Sequence, residues 1–242
     1  MTAMIIVFAI FVASMVLIAF LSRGLEDDGE ASASDSTDVD TGGVSDTAPD
    51  MSIEKTDFTE ISLGDGLYIR NMYKYTGIFM EDGTDDAVTN VMMIVLENTS
   101  GKDLQLADVE IEYAGYTAKF RATNIPSGEK AVLLEQSRRA PTEENPVSCS
   151  ASNVIFFDET MRSSDERLEI TGGDGFVNVK NVSETDIEGE IYIYYKYSSA
   201  DMFYGGITFR TKLDGLKAGE TKSAVAGHYT TKGCTVVMIT CE

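Results

Sequence analysis

Tryptophan is absent from this chain of 242 residues, and histidine occurs once, as His228. Cysteine occurs three times, as Cys149, Cys234 and Cys241, and proline four times. One histidine and three scattered thiols without a CxxC spacing supply neither a zinc-type ligand cluster nor a disulfide scaffold. They leave equally little for nucleophilic catalysis, which sets a nucleophile beside a base. Positive charge is scarce too: 19 Lys and Arg stand against 40 Asp and Glu, for a net charge of −21. A nucleic-acid binder neutralises phosphates with basic side chains, so no nucleic-acid partner is expected. Beyond Arg23 no stretch repeats its apolar residues at a period of 3.6 over three turns, which removes amphipathic helices from the expected fold.

What is present begins with an apolar run. The first 22 residues, MTAMIIVFAIFVASMVLIAFLS, carry no charged side chain. As a helix they reach about 33 Å, enough to cross a hydrocarbon core of about 30 Å. The segment lacks a basic start, and Ala19-Phe20-Leu21 is a poor cleavage context, so a retained transmembrane anchor over residues 1–23 is expected. Residues 24–55 follow as LEDDGEASASDSTDVD and similar sequence, with nine carboxylates and no base between Gly24 and Asp50. Such a segment cannot bury enough apolar surface to offset its ordering entropy, and reads as a disordered acidic stalk rich in Ser, Thr and Asp. Arg23 alone favours a cytoplasmic C-terminal side, but large C-terminal domains translocate largely regardless of charge. The expectation is a single-pass cell-membrane protein, held in the membrane by its N-terminal helix, with its C-terminal domains extracytoplasmic.

After the stalk, short runs rich in Val, Ile, Tyr, Phe and Thr alternate with turn residues, the pattern of β-strands. Twelve strands are expected, the first near Leu67–Tyr75 and the last near Cys234–Thr240. They fall into two series. The stretch ENTSGKDL (Glu97–Leu104) returns as KNVSETDI (Lys180–Ile187), and the flanking segments follow in the same order. Asn98 matches Asn181, Phe120-Arg121 matches Phe209-Arg210, Gly128-Glu129 matches Gly219-Glu220, and Cys149 falls opposite Cys234. The second copy is eight residues longer between its Asn and its Gly, mostly in KYSSADMFYGG. Two β units are therefore expected, over residues 56–160 and 161–242. Each N-x-S reads first as a turn, since Asn and Ser bond to nearby backbone, and second as a glycosylation pattern.

The run FVNVKNVSETDIEGEIYIYYKY with LDGLKAGET resembles the FxLYD-type and related Ig-like modules of bacterial surface proteins. The resemblance covers Gly175 to Ala226, and more weakly Val91 to Glu135; IYIYYKY stands where the signature Phe-x-Leu-Tyr-Asp run would be. It implies an all-β fold of two tandem Ig-like β-sandwich units after the anchor and stalk. It also implies a binding or assembly role without catalytic residues.

Three local features carry candidate chemistry. In IYIYYKY, period-two alternation puts Tyr192, Tyr194 and Lys196 on one face, and Met202, Phe203 and Tyr204 of the inserted loop lie beside them. These six form a candidate aromatic platform for a protein or glycan partner at the cell surface. In FMEDGTDDAVTN the carboxylates Glu81, Asp82, Asp85 and Asp86 are dense enough to suggest a weak Ca²⁺ site, although the EF-hand Gly and Glu positions are missing and a solvated hairpin tip is the plainer expectation. The ending VVMITCE is similar to the Thr-Leu-x-Thr-Cys strand end of sortases. Only His228 is available as a partner, however, and no Arg follows. No enzyme, metal or cofactor is expected. The function expected is a non-catalytic, membrane-anchored surface binding or envelope-assembly module. The alternative is a structural or accessory subunit of a membrane secretion or pilus-like complex.

Overall fold

The computed structural model describes residues 59–199 and 202–242. The expected anchor and stalk lie outside the described residues. The described chain is all β, with thirteen strands. They are β1 (Ile61–Gly64), β2 (Leu67–Ile78), β3 (Ala87–Asn98), β4 (Leu104–Glu112), β5 (Thr117–Ile125), β6 (Lys130–Leu134) and β7 (Ser148–Phe156). The second series is β8 (Leu168–Gly173), β9 (Phe176–Asn181), β10 (Ile187–Ser199), β11 (Met202–Leu216), β12 (Thr221–Val225) and β13 (Cys234–Cys241). Every expected strand is found, and β1 is additional.

The strands form several sheets. A seven-stranded sheet runs β1-β2-β3-β6-β11-β10-β13, and two three-stranded sheets run β5-β4-β7 and β12-β9-β8. One core lies between β2, β3 and β6 on one side and β4 and β5 on the other, built on Leu67, Ile94, Leu96, Val109, Ile111 and Phe120. A second lies between β8, β9 and β12 and the strands β10, β11 and β13, built on Val177, Val179, Ile191, Ile193 and Leu213. A third cluster, with Tyr75, Phe79, Met93, Val95, Val132 and Leu134, covers the other face of β2, β3 and β6. That is why β3 reads VMMIVL without alternation: the strand is buried on both faces from Val91 to Leu96.

The duplication is visible bond by bond. Asn98 and Asn181 are both fully buried. The Asn98 Nδ2 donates to the carbonyls of Lys102 (2.8 Å) and Ile125 (3.0 Å), and its Oδ1 accepts from Ser100 N (3.2 Å) and Ser100 Oγ (2.7 Å). The Asn181 Nδ2 donates to the carbonyls of Thr185 (2.8 Å) and Leu216 (3.2 Å), and its Oδ1 accepts from Ser183 N (3.0 Å) and Ser183 Oγ (2.7 Å). Around them Gly128 N donates to Asn98 O at 2.7 Å, and Gly219 N to Asn181 O at 3.0 Å. Each asparagine thus closes a corner where one strand ends and the next begins in the facing sheet. An amide nitrogen so committed is closed to a glycan, so the turn reading of N-x-S holds at both sites.

The eight extra residues of the second copy form the joint between the repeats. They lengthen the β10–β11 hairpin, and the start of β11 pairs in parallel with β6 through Phe203–Ala131 and Tyr204–Val132. Phe203 enters the first core, while Met202 and Tyr204 pack on the third cluster. Two glycines permit this approach. Gly205 has φ +83°, and a Cβ on Gly206 would stand 1.7 Å from the carbonyl oxygen of Arg121.

Asn98→Ala and Asn181→Ala each strand buried carbonyls and should each destabilise the protein by about 2–4 kcal/mol. Urea unfolding of the two variants checks both the size and the near-equality of the losses. Gly206→Ala should cost about 1–3 kcal/mol by overpacking the joint, read in the same way.

Candidate functional site

Regular antiparallel pairing of β10 with β11 sets Tyr192 opposite Lys212 and Tyr194 opposite Arg210. The two tyrosine rings lie 6.5 Å apart, and the Arg210 guanidinium sits 4.8 Å from the Tyr192 centroid and 6.0 Å from that of Tyr194. Glu190 accepts from Lys212 at 2.5 Å and from the Tyr192 hydroxyl. The bond from Lys212 holds the Glu190 carboxyl below its ordinary range. Both rings are half-buried and Arg210 is exposed, with no carboxylate partner among the described residues. The result is a small aromatic and cationic face on an otherwise acidic protein. It can stack against a planar or sugar-like surface and donate hydrogen bonds to anionic or hydroxyl groups. Arg210 was not among the residues singled out from the sequence. Its signal was its place opposite Tyr194, which becomes visible once the hairpin register is known.

The remaining platform residues do not join this face. Lys196 is fully buried, and Phe203 is buried in the first core. Met202 and Tyr204 lie half-buried against the third cluster. The alternation assigned Lys196 to the right side of the strand, but its hairpin partner β11 packs against β5 there, and the Lys196 amine is enclosed by both. The same side that meets solvent near Tyr192 is therefore interior at Lys196. Irregularities in register between Tyr194 and Tyr197 accompany the change.

Lys196 is held by backbone. Its Nζ donates to the carbonyls of Ile207 (2.7 Å), Thr123 (3.0 Å) and Gly206 (3.2 Å). Thr123 Oγ1 in turn donates to Gly206 O at 2.8 Å, so β5, β10 and β11 meet at one polar point. Glu81 belongs to the same joint: Oε1 accepts from Leu134 N and Oε2 from Gly206 N, each at 2.8 Å. Burial pushes the Glu81 carboxyl up and the Lys196 amine down, and the attraction between the two opposes both shifts.

The acidic loop is a clasp. Besides Glu81, Asp82 and Asp86 both reach Arg138, at 2.9 and 3.0 Å, and Arg138 lies over the Phe79 ring at 4.4 Å. Asp85 approaches Nδ1 of His228 in the second repeat at 3.1 Å, and His228 stacks on Phe209 at 4.3 Å between centroids. Asp82 and Asp86 share Arg138, Asp85 meets His228 and Glu81 takes backbone amides, so the four do not converge as a Ca²⁺ shell requires. Among the described residues no group of three or more His, Cys, Asp or Glu side chains is placed to hold a metal ion. The loop that reads as a solvated tip joins the repeats instead.

The thiols are unpaired and only partly buried. Cys234 and Cys241 sit at opposite ends of β13, about 23 Å apart along an extended strand, which excludes a bond between them. Burial raises all three thiol pKa values, the reverse of an activated nucleophile. Cys241 lies in an open hollow with Arg162, Asp165 and Arg167, its Sγ 3.8 Å from Asp165. Arg167 holds that carboxyl down to about 2. His228 is at the other end of β13, where its carbonyl accepts from Cys234 Sγ at 3.3 Å. No sortase-like Cys-His pairing is assembled.

The joint gives a pH signature. A carboxyl with a raised folded pKa keeps a proton that the unfolded chain has released, so stability falls as pH climbs from the ordinary carboxylate range towards neutrality. Lys196, with its lowered folded pKa, gives stability that is lost as pH falls through the alkaline range towards neutrality. The double variant Glu81→Gln with Lys196→Met should flatten both slopes, measured by urea unfolding across pH.

No protein-family model, curated protein or solved structure matches the chain.

Proposed function

We propose that the protein is a non-catalytic, single-pass membrane protein whose two Ig-like β-sandwich units stand outside the membrane as a surface binding or envelope-assembly module. The observation that carries this reading is the Tyr192–Tyr194–Arg210 face, a partly exposed aromatic and cationic surface whose guanidinium has no carboxylate partner among the described residues. Lys196 is bound by carbonyls, the acidic loop by Arg138, His228 and backbone amides, and Asp165 by Arg167. The uncharged first 22 residues and the carboxylate-rich stretch after them support an anchor and spacer. Two layers around each of two cores, with the same asparagine corner in both, support the paired sandwich. The partner is a protein or a glycan at the cell surface.

Protease added to intact cells should cut within residues 24–55 and release a fragment carrying residues 59–242. Affinity capture with the full chain should then recover a surface partner that Tyr192→Ala with Arg210→Ala no longer holds, at an unchanged unfolding midpoint. A chain that is cut only after lysis, or capture indifferent to those substitutions, overturns the reading.

A further inference from the structure

The two repeats differ at one pair of positions. In the first, Met93 of β3 faces Leu134 of β6, and the two are 1 % and 0 % exposed. Met93 lies five residues before Asn98, and Leu134 six after Gly128. The same counts from Asn181 and Gly219 give Phe176 of β9 and Val225 of β12, which also face one another. These are 41 % and 86 % exposed.

The covering of the first pair has two sources. The long β2–β3 hairpin, with twelve residues in each strand, brings Phe79, Met80 and Glu81 over the edge of β6. The start of β11 then pairs with that edge and lays Tyr204 on the same cluster. In the second repeat the equivalent hairpin has six-residue strands joined at Asp174-Gly175, and among the described residues it does not cover Val225, which is 86 % exposed. Among the described residues β12 pairs only with β9. The bonds Asn181 N to Glu220 O and Ala226 N to Gly175 O, both 2.9 Å, fix the ladder phase. They turn the backbone groups of Thr221, Ser223 and Val225 away from β9. Among the described residues only the Val225 carbonyl on this outer edge has a hydrogen-bond partner, the Thr211 hydroxyl at 2.8 Å. Lysines often guard such an edge, but Lys222 is folded back onto the carbonyls of Asp214 and Gly215.

We propose that β12 is a strand acceptor. It takes an extended segment of a partner polypeptide in parallel, as β6 takes β11, with an aromatic side chain of the partner laid over Phe176 and Val225. The partner is a separate protein carrying a strand with an apolar residue towards the core and an aromatic one outward, the arrangement of Phe203 and Tyr204. The described chain has no second such strand to give. The β10–β11 hairpin is spent on β6, and β5, which corresponds to β11, turns back at Tyr113–Tyr116 without the eight extra residues. This inference rests on the reading of the chain as a binding module and names a docking surface for it.

The test uses the full chain in detergent and a synthetic peptide with the sequence of residues 202–208, MFYGGIT. The amides of Ser223 and Val225 should exchange quickly with solvent in the chain alone and slow when the peptide binds. Ser223→Pro removes an outward amide without touching the β9 ladder, and Val225→Lys charges the exposed position. Each should weaken peptide binding about tenfold at an unchanged unfolding midpoint. No slowing at high peptide concentration, or binding that survives both substitutions, overturns the proposal. So do amides already protected before peptide is added, since the chain's first 58 residues or a second copy then covers the edge. A chain inaccessible on intact cells would overturn the location argued above and leave these outcomes as they stand.

Discussion

A buried carbonyl needs a donor, and both repeats meet that need in the same way at their tightest corner. Where β3 hands over to β4, and β9 to β10, the chain leaves one sheet and enters the other, and two carbonyls at the crossing lose their ladder partners. One asparagine amide supplies both, and the following Ser holds the amide oxygen in place. Leu104 and Ile187, the first strand residues after each corner, can then point into their cores. Removing the amide would not loosen a surface turn. It would leave polar backbone facing an apolar interior.

On that repeated frame the second copy carries an insertion. Eight residues added to a single hairpin turn two similar units into strands of one sheet, and the polar residues of both repeats converge on the seam. Lys196 is a costly group to bury, and its three carbonyl partners come from two strands that belong to different repeats. It therefore specifies the docking as much as it stabilises it. Glu81 acts in the same way from the other side, capping one amide of β6 and one of β11. The acidic loop, braced by Arg138 within the first repeat, completes the seam through His228. Tyr194 borders the seam, packed against the first core, while Arg210 beside it retains its solvent exposure.

The all-β class and the two like corners were legible because both rest on local signals: β-branched runs, and a short polar motif that recurs. β1 was missed because Ile61–Gly64 is four residues long and its Asp65-Gly66 turn signal was passed over. The polar start of β7, SCSASN, hid an edge strand. The alignment of Phe120 with Phe209 slipped by two. Counted back from Ile125 and Leu216, the carbonyls each asparagine holds, Phe120 falls level with Thr211, and a slip of two keeps every side chain on its face. The fate of Lys196 could not be read at all. Alternation tells which side of a strand a residue takes, not what another part of the chain later lays against that side. The carboxylates of the acidic loop failed for the same reason, since Arg138 is 56 and 52 residues from Asp82 and Asp86, and His228 is 143 from Asp85.

The order of the long sheet has a mechanical meaning. Ile61 lies in the strand at one border and Cys241 in the strand at the other, with six interstrand gaps between them, about 29 Å of cross-strand distance. Tension drawn between those borders acts at right angles to the strands and opens rungs one after another, as a zip, in place of sliding them together. Five of the gaps are antiparallel ladders; the sixth, β6 against β11, has two rungs. That gap has the fewest rungs of the six, and the Lys196 and Glu81 contacts beside it add to its hold.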